Sequence, residues 1–191
     1  MTRIALAVIV AAGLSASGSA RAQTAPASSG PGNTTRFSRA IKARFDSIKR
    51  DILDAADAVP DSEYAFKPTP AVRSFGELIG HIADSQNFFC GVARGANPEY
   101  SDAVEKTSTP TKTVMVNALR ASMAKCDDAY GKTTAENALE LVAAGKGDAL
   151  RAMLLLDNIS HDNEHYGNIV TYMRLKGHVP PSTARTSAPS K

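Results

Sequence analysis

Two histidines sit one helical turn apart in His161-Asp-Asn-Glu-His165, and a third, His81, lies 80 residues upstream. On a helix, side chains at i and i+4 leave one face with Cβ atoms roughly 5–6 Å apart, so His161 and His165 can offer two imidazole nitrogens to a single ion. His81 can add a third from another helix. Three neutral imidazoles are the ligand set by which catalytic zinc sites keep one position open, so the chemistry this pattern points to is that of a divalent metal ion, Zn²⁺ or Ni²⁺.

The flanking residues set the direction in which these side chains must face. Leu150, Leu154, Asn158, His161, His165, Asn168, Tyr172 and Leu175 recur at spacings of three and four, the stripe by which a helix meets a core. His81 lies beside the stripe Phe75, Ile79, Ile82 and Phe89. Burying an imidazole without a partner costs on the order of 1–3 kcal/mol, and three inward histidines call for one shared explanation or three separate hydrogen-bond partners. His178, after Gly177 and before Pro180-Pro181, is expected in solvent and not among the ligands. The motif is not the His-Glu-x-x-His of zinc proteases: Asp162 follows His161, about 100° round the helix, and Asp162 and Glu164 are expected either in solvent or as acceptors that orient the imidazoles. Asn158 and Asn168 are the positions to inspect for a fourth ligand. No catalytic residue is assigned.

Four long helices would carry the trio. The first is expected over 35–58, with Phe37, Ile41, Phe45, Ile48 and Ile52 inward. The second starts at a capping box, Ser74-x-x-Glu77, and runs to about Arg94. The third covers 111–130 and the fourth 148–176. One short helix and no strand are expected over 133–147. The fold class is therefore all-α, a four-helix bundle, an architecture that builds metal sites between facing helices. Residues 95–110 can span up to roughly 50 Å extended, against about 30 Å for a twenty-residue helix, long enough to return along the bundle and leave helices two and three parallel.

Residues 1–22 read as a signal peptide: Arg3, an apolar run from Ile4 to Leu14 too short to span a bilayer, then Ala20-Arg21-Ala22 as a small-x-small cleavage site. Cleavage before Gln23 removes Arg3 and Arg21, which takes the formal charge from +3 to +1. That balance, with no basic cluster interleaved with aromatics, gives no support for nucleic-acid binding, and no nucleic-acid partner is expected. The expected organisation is a flexible leader over 23–33, one folded domain over 34–179 and a disordered tail over 180–191. Cys90 and Cys126 are the two cysteines, an even number for an exported chain; each reads equally as a small buried apolar residue or as half of a disulfide. There is no Gly-rich phosphate loop and no Gly-x-Ser-x-Gly turn.

Arg73-Ser-Phe-Gly-Glu-Leu-Ile-Gly-His81-Ile-Ala-Asp, and above all His161-Asp-Asn-Glu-His165-Tyr-Gly-Asn-Ile-Val-Thr-Tyr-Met-Arg-Leu-Lys-Gly177-His-Val-Pro-Pro181, resemble the DinB/YfiT-like family, over about residues 36–182. The resemblance implies an up-down-down-up four-helix bundle whose divalent ion is held by one histidine of helix two and the pair on helix four, here His81, His161 and His165. It implies transferase or isomerase chemistry in which the metal polarises a small thiol or the substrate. For an exported chain the expectation is a metal-dependent hydrolase or small-molecule transferase acting on an unidentified small molecule in the periplasm or outside the cell, with no stable membrane anchor after cleavage and a homodimer left open. A non-catalytic envelope protein, whose metal is structural or cargo, is the alternative. A metal-free bundle acting through its surface is the third reading.

Overall fold

A computed structural model of the protein describes residues 31–187. The expected signal peptide, most of the expected leader and residues 188–191 lie outside them. The elements in chain order are α1 (Pro31–Ala58), a 3-10 turn at Asp61–Glu63, α2 (Phe75–Ala93), α3 (Lys112–Lys132), β1 (Leu141–Ala144), β2 (Gly147–Leu150), α4 (Arg151–Leu175) and α5 (Pro181–Ser187). The protein is all-α in class, with the four long helices where the apolar periodicity puts them.

Local signals start the helices as expected. Ser74 Oγ accepts from the Glu77 N–H while the Glu77 carboxylate accepts from the Ser74 N–H, closing both halves of the capping box at α2. Thr111 caps α3 on one side only, its Oγ1 accepting from the Val114 N–H. Their apolar faces enclose one core, in which the rings of Phe45 (α1) and Tyr130 (α3) stack at 4.2 Å between centroids. The Tyr130 hydroxyl donates to the Leu155 carbonyl of α4 at 2.6 Å.

Cross-helix pairs fix the directions. Asn87 meets Lys125, Cys90 meets Cys126 and Arg94 meets Asp128, so α2 and α3 ascend together. Cys90 and Cys126 form a disulfide, with Cα atoms 5.1 Å apart. Against α4 the order reverses: Arg73 pairs with Tyr172, and Gln86 with Asp162. The 95–111 segment makes the return crossing and is pinned to α2 by Asp84, whose buried carboxylate accepts from the Val104 N–H (3.2 and 3.1 Å) and the Glu105 N–H (2.9 Å).

The structure corrects several expectations. Residues 141–150 form an antiparallel hairpin, Leu141 opposite Leu150, where a short helix and no strand were expected. Gly145 turns it with φ 63°, the first central position at which such turns take glycine. The strands carry a single β-branched residue, Val142, so propensity gave little sign of them. In consequence α4 begins at Arg151, three residues later than expected. Residues 181–187, expected as part of a loose tail, form α5: Pro181 is buried and Arg185 is ion-paired with Asp51 of α1. Helix α1 starts at Pro31, inside the expected leader, and Phe37, expected inward, is 40% exposed. Among the described residues no helix is long and apolar enough to cross a membrane.

Candidate metal centre

The buried residues of α4 include Leu154, Asn158, His165 and Tyr172 of the stripe read in the sequence, and beside them Leu155, Asp162, Tyr166, Ile169 and Met173, one position on from it. His165 is thus buried and half-buried His161 stands at the edge of the core, and both meet His81 on α2. Asn168 and Leu175, expected inward, are exposed.

All three histidines offer ligand nitrogens that lie within 4.8 Å of one another. The His161 Nε2 is 3.0 Å from His165 Nε2 and 3.2 Å from His81 Nε2. Nitrogens held 2.0–2.1 Å from a tetrahedral ion stand roughly 3.3–3.4 Å apart, so these two separations are near those of a shared ion. The Ser85 Oγ is also 3.2 Å from His161 Nε2. An imidazole nitrogen carries one N–H or one lone pair, so only one of these three contacts can be a good hydrogen bond. A cation among the nitrogens would satisfy the set at once, and the residues present fit one.

Electrostatics keep the lone pairs available. Burial, then the neighbouring His165, His81 and Arg73 charges, push His161 down to about 3; burial, then His81, push His165 down to about 4. Both rings are neutral at pH 7, as metal ligands must be.

The outer nitrogens are held unequally. His81 Nδ1 is 2.9 Å from Glu105 Oε2, the contact that leaves Nε2 as the free lone pair. Glu105 in turn accepts from Arg73 Nε at 2.8 Å, and the Tyr100 hydroxyl is 3.3 Å from the same His81 nitrogen. His165 Nδ1 is 3.4 Å from the Asn168 amide. His161 Nδ1 is buried without a protein partner.

Of the sequence-derived residues, His81, His161 and His165 come together. His178 does not join them; it is half-buried and not free in solvent, with Nε2 2.7 Å from Glu63 Oε2. Asn158 donates to the Tyr130 hydroxyl and belongs to the core. Glu164 is exposed, as expected, but Asp162 is fully buried and meets Gln86, not an imidazole: Gln86 Nε2 donates to Asp162 Oδ2 at 2.6 Å. Burial pushes that carboxyl well up from its ordinary value. Glu105, Arg73, Tyr100, Ser85 and Gly80 were not picked out from the sequence. Ser85 could have been, since it follows His81 by one turn; Glu105 lies in the crossing loop, where no periodicity marks a facing side chain.

A cleft and an aromatic wall flank the trio. The cleft, of about 650 Å³, is lined by Arg73, Glu105, His165, Asn168 and Tyr172 among others. On the other flank an aromatic wall runs from Tyr100 to Phe88 (5.9 Å), Phe89 (5.6 Å) and the His161 ring (5.9 Å).

A helical bundle with a triad of facing imidazoles on two antiparallel helices is the class of protein this geometry defines. The chain belongs to the DinB superfamily, whose pattern it matches over residues 44–169. It is similar to the uncharacterized protein YjoA of Bacillus subtilis (strain 168), 25% identical over 143 residues that cover 74% of this chain and 92% of the relative. Its fold resembles a DinB-like protein from Bacillus cereus ATCC 10987, with a TM-score of 0.63 at 15% identity, covering 75% of this chain and 95% of the other. It also resembles the crystal structure of YjoA, with a TM-score of 0.60 at 22% identity, covering 73% and 93%.

Proposed function

We propose that this protein is a metal-dependent enzyme of the cell envelope, a hydrolase or small-molecule transferase, with His81, His161 and His165 as ligands to Zn²⁺ or Ni²⁺. The observation that carries the reading is the crowding of three polar atoms on the single bonding site of His161 Nε2, which a shared ion relieves. Bound there, such an ion supplies Lewis acidity and can lower the pKa of a water ligand from about 15.7 to about 7.

The protein's own part is to hold the ligands and leave a side open. Glu105 fixes the His81 ring, while burial keeps His161 and His165 neutral. Neither asparagine considered as a fourth ligand takes that role: Asn158 is bonded to Tyr130, and Asn168 sits at the outer nitrogen of His165. The adjoining cleft leaves room for a small substrate beside His165. Export rests on the 1–22 segment, and N-terminal sequencing of envelope-purified protein beginning at Gln23 would support it.

Metal analysis of untagged protein purified from the envelope tests the ion. Near-stoichiometric zinc or nickel is expected, and its absence from folded protein would refute the reading. Cobalt substitution tests the open position: the visible spectrum should change on adding azide without unfolding. A silent spectrum, together with collapse of the metal-free protein, would instead make the ion a structural staple.

A further inference from the structure

We propose that Ser85 is a positioning residue whose hydroxyl holds a water or hydroxide ligand at the open position of the metal centre. The inference rests on the metal reading above and goes beyond it by naming the protein group that meets the exchangeable oxygen.

Ser85 lies one turn after His81 on α2, on the same side of the helix, and is only 3% exposed. A hydroxyl buried within a helix ordinarily bonds back to its own backbone. Two other buried hydroxyls do so: Ser122 of α3 donates to the Leu119 carbonyl (2.8 Å), and Thr133, at the α3 C-cap, to the Ala129 carbonyl (2.8 Å). Ser85 does not. Its Oγ is directed at His161 Nε2, 3.2 Å away, the atom on which His81 and His165 also converge.

That contact cannot survive metal binding as a hydrogen bond. Once the His161 Nε2 lone pair is given to an ion, the nitrogen neither accepts nor donates, and the Ser85 hydroxyl loses its partner. Leaving a buried hydroxyl unpaired is unfavourable. The polar atom that arrives with the ion is the ion's own exchangeable oxygen ligand, so the hydroxyl turns to it. A neutral serine hydroxyl is a weak ligand beside imidazole, which favours this indirect role over direct coordination. The neighbouring flank offers the aromatic faces of Phe89 and Phe88. Ser85 donates to hydroxide and thereby favours it over water.

Cobalt-substituted protein tests this through its visible spectrum. Wild type should show a pH-dependent transition as the metal-bound water ionises. In Ser85→Ala, cobalt content should be unchanged while the midpoint rises by about one pH unit, and Ser85→Thr should restore it in part. An unmoved midpoint in a folded, cobalt-loaded Ser85→Ala would overturn the role of Ser85 while leaving the metal site intact. Failure of wild type to bind cobalt would overturn the site and this inference together.

Discussion

Gly80 and Glu105 are in backbone contact: a Cβ at position 80 would stand 2.8 Å from the Glu105 Cα and 2.9 Å from its nitrogen. Only glycine lets the crossing segment lie this close to α2, and that closeness brings the Glu105 carboxylate to His81 Nδ1. Gly80→Ala should therefore displace Glu105 and loosen its hold on the His81 ring. Metal affinity, read by competition with a chelator, should fall about 10–100-fold, as it does when a carboxylate behind a ligating histidine is lost. Glu105→Gln should produce part of the same loss. Gly167→Ala on α4, where an added Cβ meets nothing within 4 Å, should leave affinity as it is. Equal affinities for Gly80→Ala and Gly167→Ala would refute the arrangement.

Replacing His81, His161 or His165 by alanine should each remove most of the bound metal. His178→Ala should retain it, because that ring is engaged with Glu63. Elemental analysis of the four purified variants decides the matter; the assignment fails if all four hold the same amount.

The metal-free protein should lose stability as the solution turns mildly acidic. His161 and His165 sit at about 3 and about 4 in the folded state, below the ordinary 6.5, so the unfolded chain binds more protons between about pH 6.5 and 4. Their neutral burial is fully tolerated above pH 6.5 and increasingly opposed below it. Urea midpoints of the apo protein should accordingly fall from pH 7 to pH 5, with a shallower decline in the His161→Gln/His165→Gln double variant. Parallel pH profiles would contradict this.

Asp162→Asn should raise the stability of the apo protein at neutral pH, by about 1 kcal/mol, equivalent to roughly 2–4 °C in Tm. The folded carboxyl titrates well above its unfolded value, so its favourable contribution is present in acid and lost as pH rises. An amide can still accept from Gln86. It also brings a donor to a region where Asp162 Oδ1 and Asn158 Oδ1, one turn apart, are both buried without partners. The gain should shrink toward pH 4, and a variant less stable than wild type at pH 7 would disprove the account.

The histidine trio was legible in the sequence because a pair at i, i+4 marks a helix face whatever surrounds it. The phase of α4 was legible only in part. Leu154, Asn158, His165 and Tyr172 are buried as expected, but the buried face also takes in Asp162, which no hydrophobic pattern places in a core, and it leaves Asn168 and Leu175 exposed. The α2 cap at Ser74 and Glu77 was legible for the opposite reason, since its signal is local. Glu105 was invisible, because its position depends on a contact across 25 residues between Gly80 and an aperiodic segment. The 141–150 hairpin was missed because its turn is set by one left-handed glycine between strands of weak propensity.

The Cys90–Cys126 bond ties α2 to α3, and an ion held by His81, His161 and His165 would tie α2 to α4. Both fastenings converge on α2, and neither reaches α1, which is kept in place by packing through Phe45, Ile48 and Ile52 and by ion pairs such as Lys49–Asp127. The metal-loaded, oxidised molecule thus has a cross-linked half and a docked half. Backbone amides of α1 should exchange with solvent through partial openings that leave the other three helices protected, so occupancy of the ion is felt least by the helix that does not touch it.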